Sequence, residues 1–346
     1  MTICKQHGAE ASSLGVDRPF SRDKVACLES FARRRAPRPD SRAGAAPVLD
    51  PHDLQARYEA LEIDFDPDLA SLWCTFRHDA RPCFTPRLLA DIRRLQSELR
   101  HGLAAAARGG RMPLRSVVWA SDAPDSWNLG GDLALFVELI RAGDAERLRR
   151  YAHDCVDVVY QNLCKLDLPL LIIALVQGDA LGGGFEAVLT NDVVIAERGA
   201  KFGLPEILFN MFPGMGAYSL LCRRLDGSRA QQLILSGRLY EAEELEQMGL
   251  VDMVVEPGDG PAAVRQYLVR NERRLGVLNA LSEVRRRCQP VDYEELIDVT
   301  DLWVATALAL EDADLRRMER LAGAQQRRRA RVGGPAVAPA RLSAAG

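Results

Sequence analysis

This 346-residue chain contains no run of about 18 uncharged apolar residues, so no segment is built to cross a bilayer as a helix. The longest such stretch, 168–176, has the length of a buried strand instead. The first residues lack the apolar core of a secretory signal. The eight cysteines include no Cys-x-x-Cys pair, which argues against a zinc site or a disulfide framework. Reduced thiols and a cytoplasmic location are the expectation. The five histidines (His7, His52, His78, His101, His153) form no His-Glu-x-x-His motif and no cluster with acidic residues, so no metal or other cofactor is expected. There is no Gly-x-Ser-x-Gly elbow, which speaks against a serine hydrolase.

Hydrophobic residues make up 47% of the chain, enough for a substantial core. The net charge of -3 conceals an uneven distribution. Residues 1–50 carry nine basic and six acidic side chains, and residues 326–346 carry five arginines and no acid. The body between is therefore acidic. Basic ends of this kind are usually solvated tails. No aromatics are interleaved with the arginines, so nucleic-acid binding is not expected.

Four regions are expected: a Pro- and Arg-rich extension over 1–48, a mixed core over 49–227, a helical part over 228–325 and a basic tail over 326–346. Within the core, 69–76, 115–121, 168–176 and 192–196 read as strands, with a further short strand at 250–255. Leu88, Leu89, Ile92, Leu95 and Leu99 fall at helical spacing in an amphipathic helix over 86–103. Residues 133–166 and 293–321 read as long helices. Ser228 is the expected N-cap of a helix ending at Gly237. Alternating strands and helices followed by helices give an α/β class.

Residues 176–216 carry the chemistry. An apolar strand runs through Gly178 into Gly182-Gly183-Gly184 and then Phe185-Glu186-Ala187. Consecutive glycines let backbone come close to a ligand, and the free amides of a helix starting there can hold an oxyanion. Close helix–strand packing is the competing explanation of a glycine run. Glu206 follows Pro205 in an otherwise apolar stretch. Burying a lone carboxylate costs several kcal/mol unless it is paired or neutral at about pH 7. Two such carboxyls beside an amide loop suit a general acid and a general base.

The segments Ala180-Leu-Gly-Gly-Gly-Phe-Glu186, Phe202-Gly-Leu-Pro-Glu-Ile207 and Pro213-Gly-Met-Gly216, with Asn128-Leu-Gly-Gly-Asp132 upstream, resemble the crotonase (enoyl-CoA hydratase/isomerase) superfamily over roughly residues 50–325. Within it the sequence is most similar to synthases of diffusible signal factors, the cis-2-unsaturated fatty acids of bacterial quorum sensing. The resemblance implies a ββα spiral core with a helical C-terminal region. It implies Glu186 and Glu206 as catalytic residues, and Gly183 with Gly130 (or its neighbour Leu129) as oxyanion donors. It places Leu129, Met215, Trp303 and Leu321 in an acyl pocket. The implied substrate is a 3-hydroxyacyl thioester on acyl carrier protein, dehydrated and then hydrolysed to the free acid. A sensor-kinase partner and a homotrimer or hexamer are also implied.

An acidic carrier protein needs a basic landing patch, for which Arg223-Arg224, Arg229 and Arg285-Arg286-Arg287 are candidates. Two rival readings share the fold: an ordinary enoyl-CoA hydratase or isomerase, and a catalytically idle protein that binds a signalling partner.

Overall fold

The computed structural model describes residues 49, 51–54, 57–78, 81–108 and 112–332. The expected N-terminal extension over 1–48 and the part of the expected tail beyond residue 332 lie outside the described residues.

Two sheets are built in alternation. The larger contains β1 (Leu61–Asp66), β2 (Ser71–Phe76), β3 (Ser116–Ser121), β5 (Leu171–Val176), β7 (Val193–Glu197) and β10 (Met253–Val255), side by side in that order. The smaller contains β4 (Ser126–Asn128), β6 (Asp179–Leu181), β8 (Lys201–Gly203) and β9 (Leu239–Glu241). Each turn of chain thus gives one strand to the large sheet and the next to the small one: β3 then β4, β5 then β6, β7 then β8. This is the ββα spiral that the sequence resemblance implies. All pairings are parallel except β1–β2 and β8–β9.

The strand β5 explains why its sequence is apolar without alternation. Leu171, Ile173 and Leu175 pack on one face with Val264 and Leu268 of α8 (Gly260–Asn271), and Ile172, Ala174 and Val176 face the larger core. A parallel strand covered on both faces has no polar side to show. The other face is covered by α1 (Pro86–Arg108), α2 (Leu133–Ala142) and α3 (Ala145–Leu163).

Several expected boundaries move. Residues 133–166 form two helices, because Gly143 adopts φ 64° and Asp144 caps a new helix through the Arg147 amide. The helix α6 (Gly227–Ser236) is capped by Asp226, whose side chain accepts from Arg229 N, and not by Ser228; Gly237 does end it, at φ 58°. Two further helices, α7 (Ala242–Gln247) and α9 (Leu275–Cys288), flank α8 in the chain. The single helix expected over 293–321 is α10 (Tyr293–Leu308) and α11 (Asp312–Val332). No Gly or Pro marks that break. Packing of α11 against α2 and the 3-10 turn Pro205–Phe209 sets it. The expected tail boundary at 326 falls inside α11. Nor is 227/228 a structural division, since β9 and β10 complete the two sheets from beyond it. Among the described residues no helix is long and apolar enough to cross a membrane.

Candidate active site

In the small sheet β4, β6 and β8 are parallel neighbours, so their C-terminal ends lie side by side. Those ends lead into 129–132, 182–186 and 204–206. Three sequence segments far apart in the chain are therefore adjacent by topology alone, at the strand ends where ligands bind in parallel α/β sheets.

The segments fit together closely. Gly184 lies so near Asn128 that a Cβ there would fall 2.0 Å from the Asn128 carbonyl oxygen. Gly182 has φ 52° and ψ -127°, and a Cβ there would fall 2.5 Å from Glu206 Oε1. The glycine run thus serves packing and ligand approach together. A methyl on Gly130 would lie 2.8 Å from Gly183 N, which puts the two expected oxyanion loops in contact.

Glu186 sits in α4 (Gly183–Val188) and is 1% exposed. Its Oε1 accepts hydrogen bonds from Met215 N and Ala217 N, both 2.8 Å. These amides lie at the start of α5 (Ala217–Arg224), so the Pro-Gly-Met-Gly turn presents a helix N-terminus to the carboxylate. Burial raises the Glu186 pKa to about 7, and the two backbone amides oppose that rise. Glu206 stands on the 3-10 turn. The residue as a whole is partly exposed, but its Oε2 is buried and without a hydrogen-bond partner. Burial, then the neighbouring Glu186 charge, raises its pKa to about 8. The asymmetry has a plain cause: one carboxyl has two amide donors, the other faces that charge. The two amides favour the ionised form of Glu186, whereas the Glu186 charge disfavours ionisation of Glu206.

Both carboxyls line a cavity of about 310 Å³. Of the sequence-expected residues, Leu129, Gly183, Met215, Trp303 and Leu321 line it as well. Gly130 does not, and its amide donates to Asn128 Oδ1 (2.8 Å). The Leu129 amide donates to Pro82 O (2.7 Å). Both first-loop donors expected from sequence are therefore engaged. Gly131 lines the cavity, and its amide has no hydrogen-bond partner among the described residues. The structure thus shifts the candidate first-loop donor from Gly130 to Gly131. Neither spacing nor composition separates two adjacent glycines; the hydrogen bonds of their neighbours do.

Sequence reasoning also missed Phe136, Tyr151, Cys155, Leu239 and Thr300 in the lining. They come from helices and from β9, and nothing in their local pattern distinguishes a cavity wall from core. Thr300 Oγ1 donates to Gly214 O (2.8 Å), tying α10 to the turn beneath Glu186. Among the described residues no histidine lines the cavity.

Most of the expected basic patch is committed elsewhere. Arg223 pairs with Glu295 through two nitrogens, and Arg224 donates to the carbonyls of Leu189 and Asn191. Arg285 reaches Asp192, and Arg286 pairs with Glu283. Arg229 and Arg287 also pair, with Asp226 (3.4 Å) and Glu283 (3.9 Å), but remain largely exposed.

The family model for enoyl-CoA hydratase/isomerase matches residues 95–266, spanning both loops and both glutamates. The chain has the crotonase fold and is similar to this family over just under half of its length. A probable enoyl-CoA hydratase of Rhizobium meliloti (strain 1021) is 48% identical over 86 residues, covering 25% of this chain and 34% of that protein. The probable enoyl-CoA hydratase echA17 of Mycobacterium avium (strain 104) is 32% identical over 160 residues, covering 46% of this chain and 60% of that protein. The matches thus span only part of these curated relatives. Among solved structures, Pseudomonas aeruginosa DspI superposes with a TM-score of 0.58 at 21% identity, over 78% of this chain and 96% of that one. The enoyl-CoA hydratase from Bacillus halodurans gives 0.61 at 22%, over 76% and 100%. At such identities these structures establish the crotonase fold and no more.

Proposed function

We propose that this crotonase is an acyl-thioester hydro-lyase that interconverts a 3-hydroxyacyl and a 2-enoyl thioester. The observation that carries this reading is the pair of carboxyls lining one cavity beside two glycine loops, Glu186 bonded to two backbone amides and Glu206 with a buried, unpartnered oxygen. In this reading the thioester carbonyl lies between the amides of Gly131 and Gly183. Each donor of this kind typically lowers the barrier by about 3 kcal/mol as charge develops on oxygen. One glutamate handles the C2 proton and the other the C3 hydroxyl. In the resting site Glu186 is the base and Glu206 the acid; the reverse reaction starts from the opposite arrangement.

We further propose that the product is released as the free cis-2-unsaturated acid, by hydrolysis in the same site, from a carrier-protein thioester. The similarity of the glycine and Pro-Glu segments to signal-factor synthases supports this. So does an apolar cavity walled by Met215, Trp303 and Leu321, which suits an acyl chain. Carrier-protein docking would rest on the largely exposed Arg229 and Arg287 and neighbouring surface. Incubation with matched 3-hydroxyacyl carrier-protein and 3-hydroxyacyl-CoA thioesters, with products identified by mass spectrometry, tests both levels. Free cis-2-enoic acid is expected. A trans-enoyl thioester alone would leave an ordinary hydratase, and no turnover of either would remove the hydro-lyase reading.

A further inference from the structure

Among the described residues the Gly131 amide has no partner, although those of Leu129, Gly130 and Asp132 are all bonded. Phe84 N donates to Gly130 O (2.8 Å). The peptide joining Gly130 to Gly131 is planar, with its C=O and N–H pointing in opposite directions. Fixing the Gly130 carbonyl on the 81–84 segment therefore turns the Gly131 N–H away from that segment. The next peptide is held from the other end. Asp132 N donates to the Tyr151 hydroxyl (3.0 Å), which in turn donates to Phe84 O (2.5 Å). Through its hydroxyl, Tyr151 thus joins the 81–84 segment to the peptide that follows Gly131. Its ring packs edge-on against Phe136 (5.4 Å between centroids), and Phe136 lies against Gly131, where a Cβ would meet its ring at 2.5 Å.

From these bonds we infer that Tyr151 is a positioning residue for the oxyanion donor at Gly131. The inference rests on the acyl-thioester reading above. Tyr151 is 6% exposed and lines the cavity. It has no role as a proton donor to substrate here: its hydroxyl proton is committed to Phe84 O, and burial raises its pKa further from neutrality. Its contribution is geometric. Without the hydroxyl, the tie between Phe84 O and the Asp132 amide is lost, and the Phe84 N–Gly130 O bond is left to hold the peptide that carries the Gly131 amide with less support. Loss of one oxyanion donor typically lowers kcat about 10²- to 10³-fold. Loosening a donor that is still present should cost less, about 10-fold.

Tyr151→Phe retains the ring and deletes only the hydroxyl. The expected result is kcat lower by about 10-fold with KM changed less than twofold. A chromophoric dialkylaminocinnamoyl thioester, whose absorption moves to the red when its carbonyl is polarised, should show a smaller red shift on this variant than on the parent. A residue that merely supports the fold would lower the melting temperature and leave the spectrum of the bound chromophore unchanged. Unchanged kcat and an unchanged red shift would overturn the inference. Should the variant not fold, hydrogen exchange on the unaltered protein decides. The amide of Asp132 should be protected with or without thioester, and that of Gly131 only with it. Protection of Gly131 in the free protein would overturn the inference. If the unaltered protein neither turns over nor polarises any acyl thioester, the functional reading itself fails and takes this inference with it.

Discussion

Replacing Glu206 by Gln separates what this residue does for the reaction from what it does to stability. The side chain keeps its shape but loses its proton equilibrium. In the folded protein burial and the Glu186 charge raise the Glu206 pKa from 4.5 to about 8. A carboxyl whose pKa is raised by folding favours the folded state when protonated. Its contribution is complete below pH 4.5 and is lost as pH climbs toward about 8. Between pH 5 and pH 8 the loss follows from about 1.4 kcal/mol per pH unit over most of the window, giving about 3 kcal/mol. Water entering the cavity screens the site and makes this an upper bound. The Gln variant carries no such slope. Its stability relative to the parent should therefore improve by up to about 3 kcal/mol from pH 5 to pH 8, whatever fixed penalty its buried amide adds. Urea unfolding of both proteins at the two pH values measures the difference directly. Activity should meanwhile fall by about 10²- to 10⁴-fold, the usual scale for losing a general acid. An equal stability difference at both pH values would show that Glu206 carries an ordinary carboxyl, and the acid–base argument would fall with it.

The remaining predictions probe other parts of the site. The pH dependence of kcat/KM should be bell-shaped and narrow, rising as Glu186 ionises near about 7 and falling as Glu206 ionises near about 8; a profile flat from pH 6 to 9 contradicts the pair. Glu186→Ala should abolish turnover and also destabilise the fold by about 2–4 kcal/mol, because Met215 N and Ala217 N lose their buried acceptor; calorimetry reads this. Gly182→Ala places a methyl against Glu206 at a positive φ, so steady-state rates should drop at least about 10-fold, with a stability loss of about 1–2 kcal/mol from the backbone alone. Asp226→Ala removes a helix cap outside the cavity and should cost about 1 kcal/mol with activity unchanged, which serves as the control for a purely structural change.

The sequence by itself determined the class of fold and singled out the candidate acid–base residues. Glu186 and Glu206 stood out because carboxyls in apolar, glycine-punctuated stretches need a reason, and period and composition mark β5 and α1 without tertiary help. The similarity of the glycine and Pro-Glu segments then placed the chain in the superfamily that the family comparison supports. Tertiary structure decided the rest. The helix expected over 293–321 broke after Leu308, where packing, not Gly or Pro, turns the chain. Gly131 displaced Gly130 as the candidate donor because the amides of Leu129 and Gly130 are bonded to Pro82 O and to Asn128 Oδ1. The two glutamates came to differ in their surroundings because the turn into α5 delivers two amides to Glu186 and leaves Glu206 Oε2 without a partner. Tyr151 could not be read from its helix at all, since its hydroxyl acts on segments 67 and 19 positions away in sequence. Local pattern records which residues are apolar or polar. Which hydrogen bond each group has already made is a property of the folded chain alone.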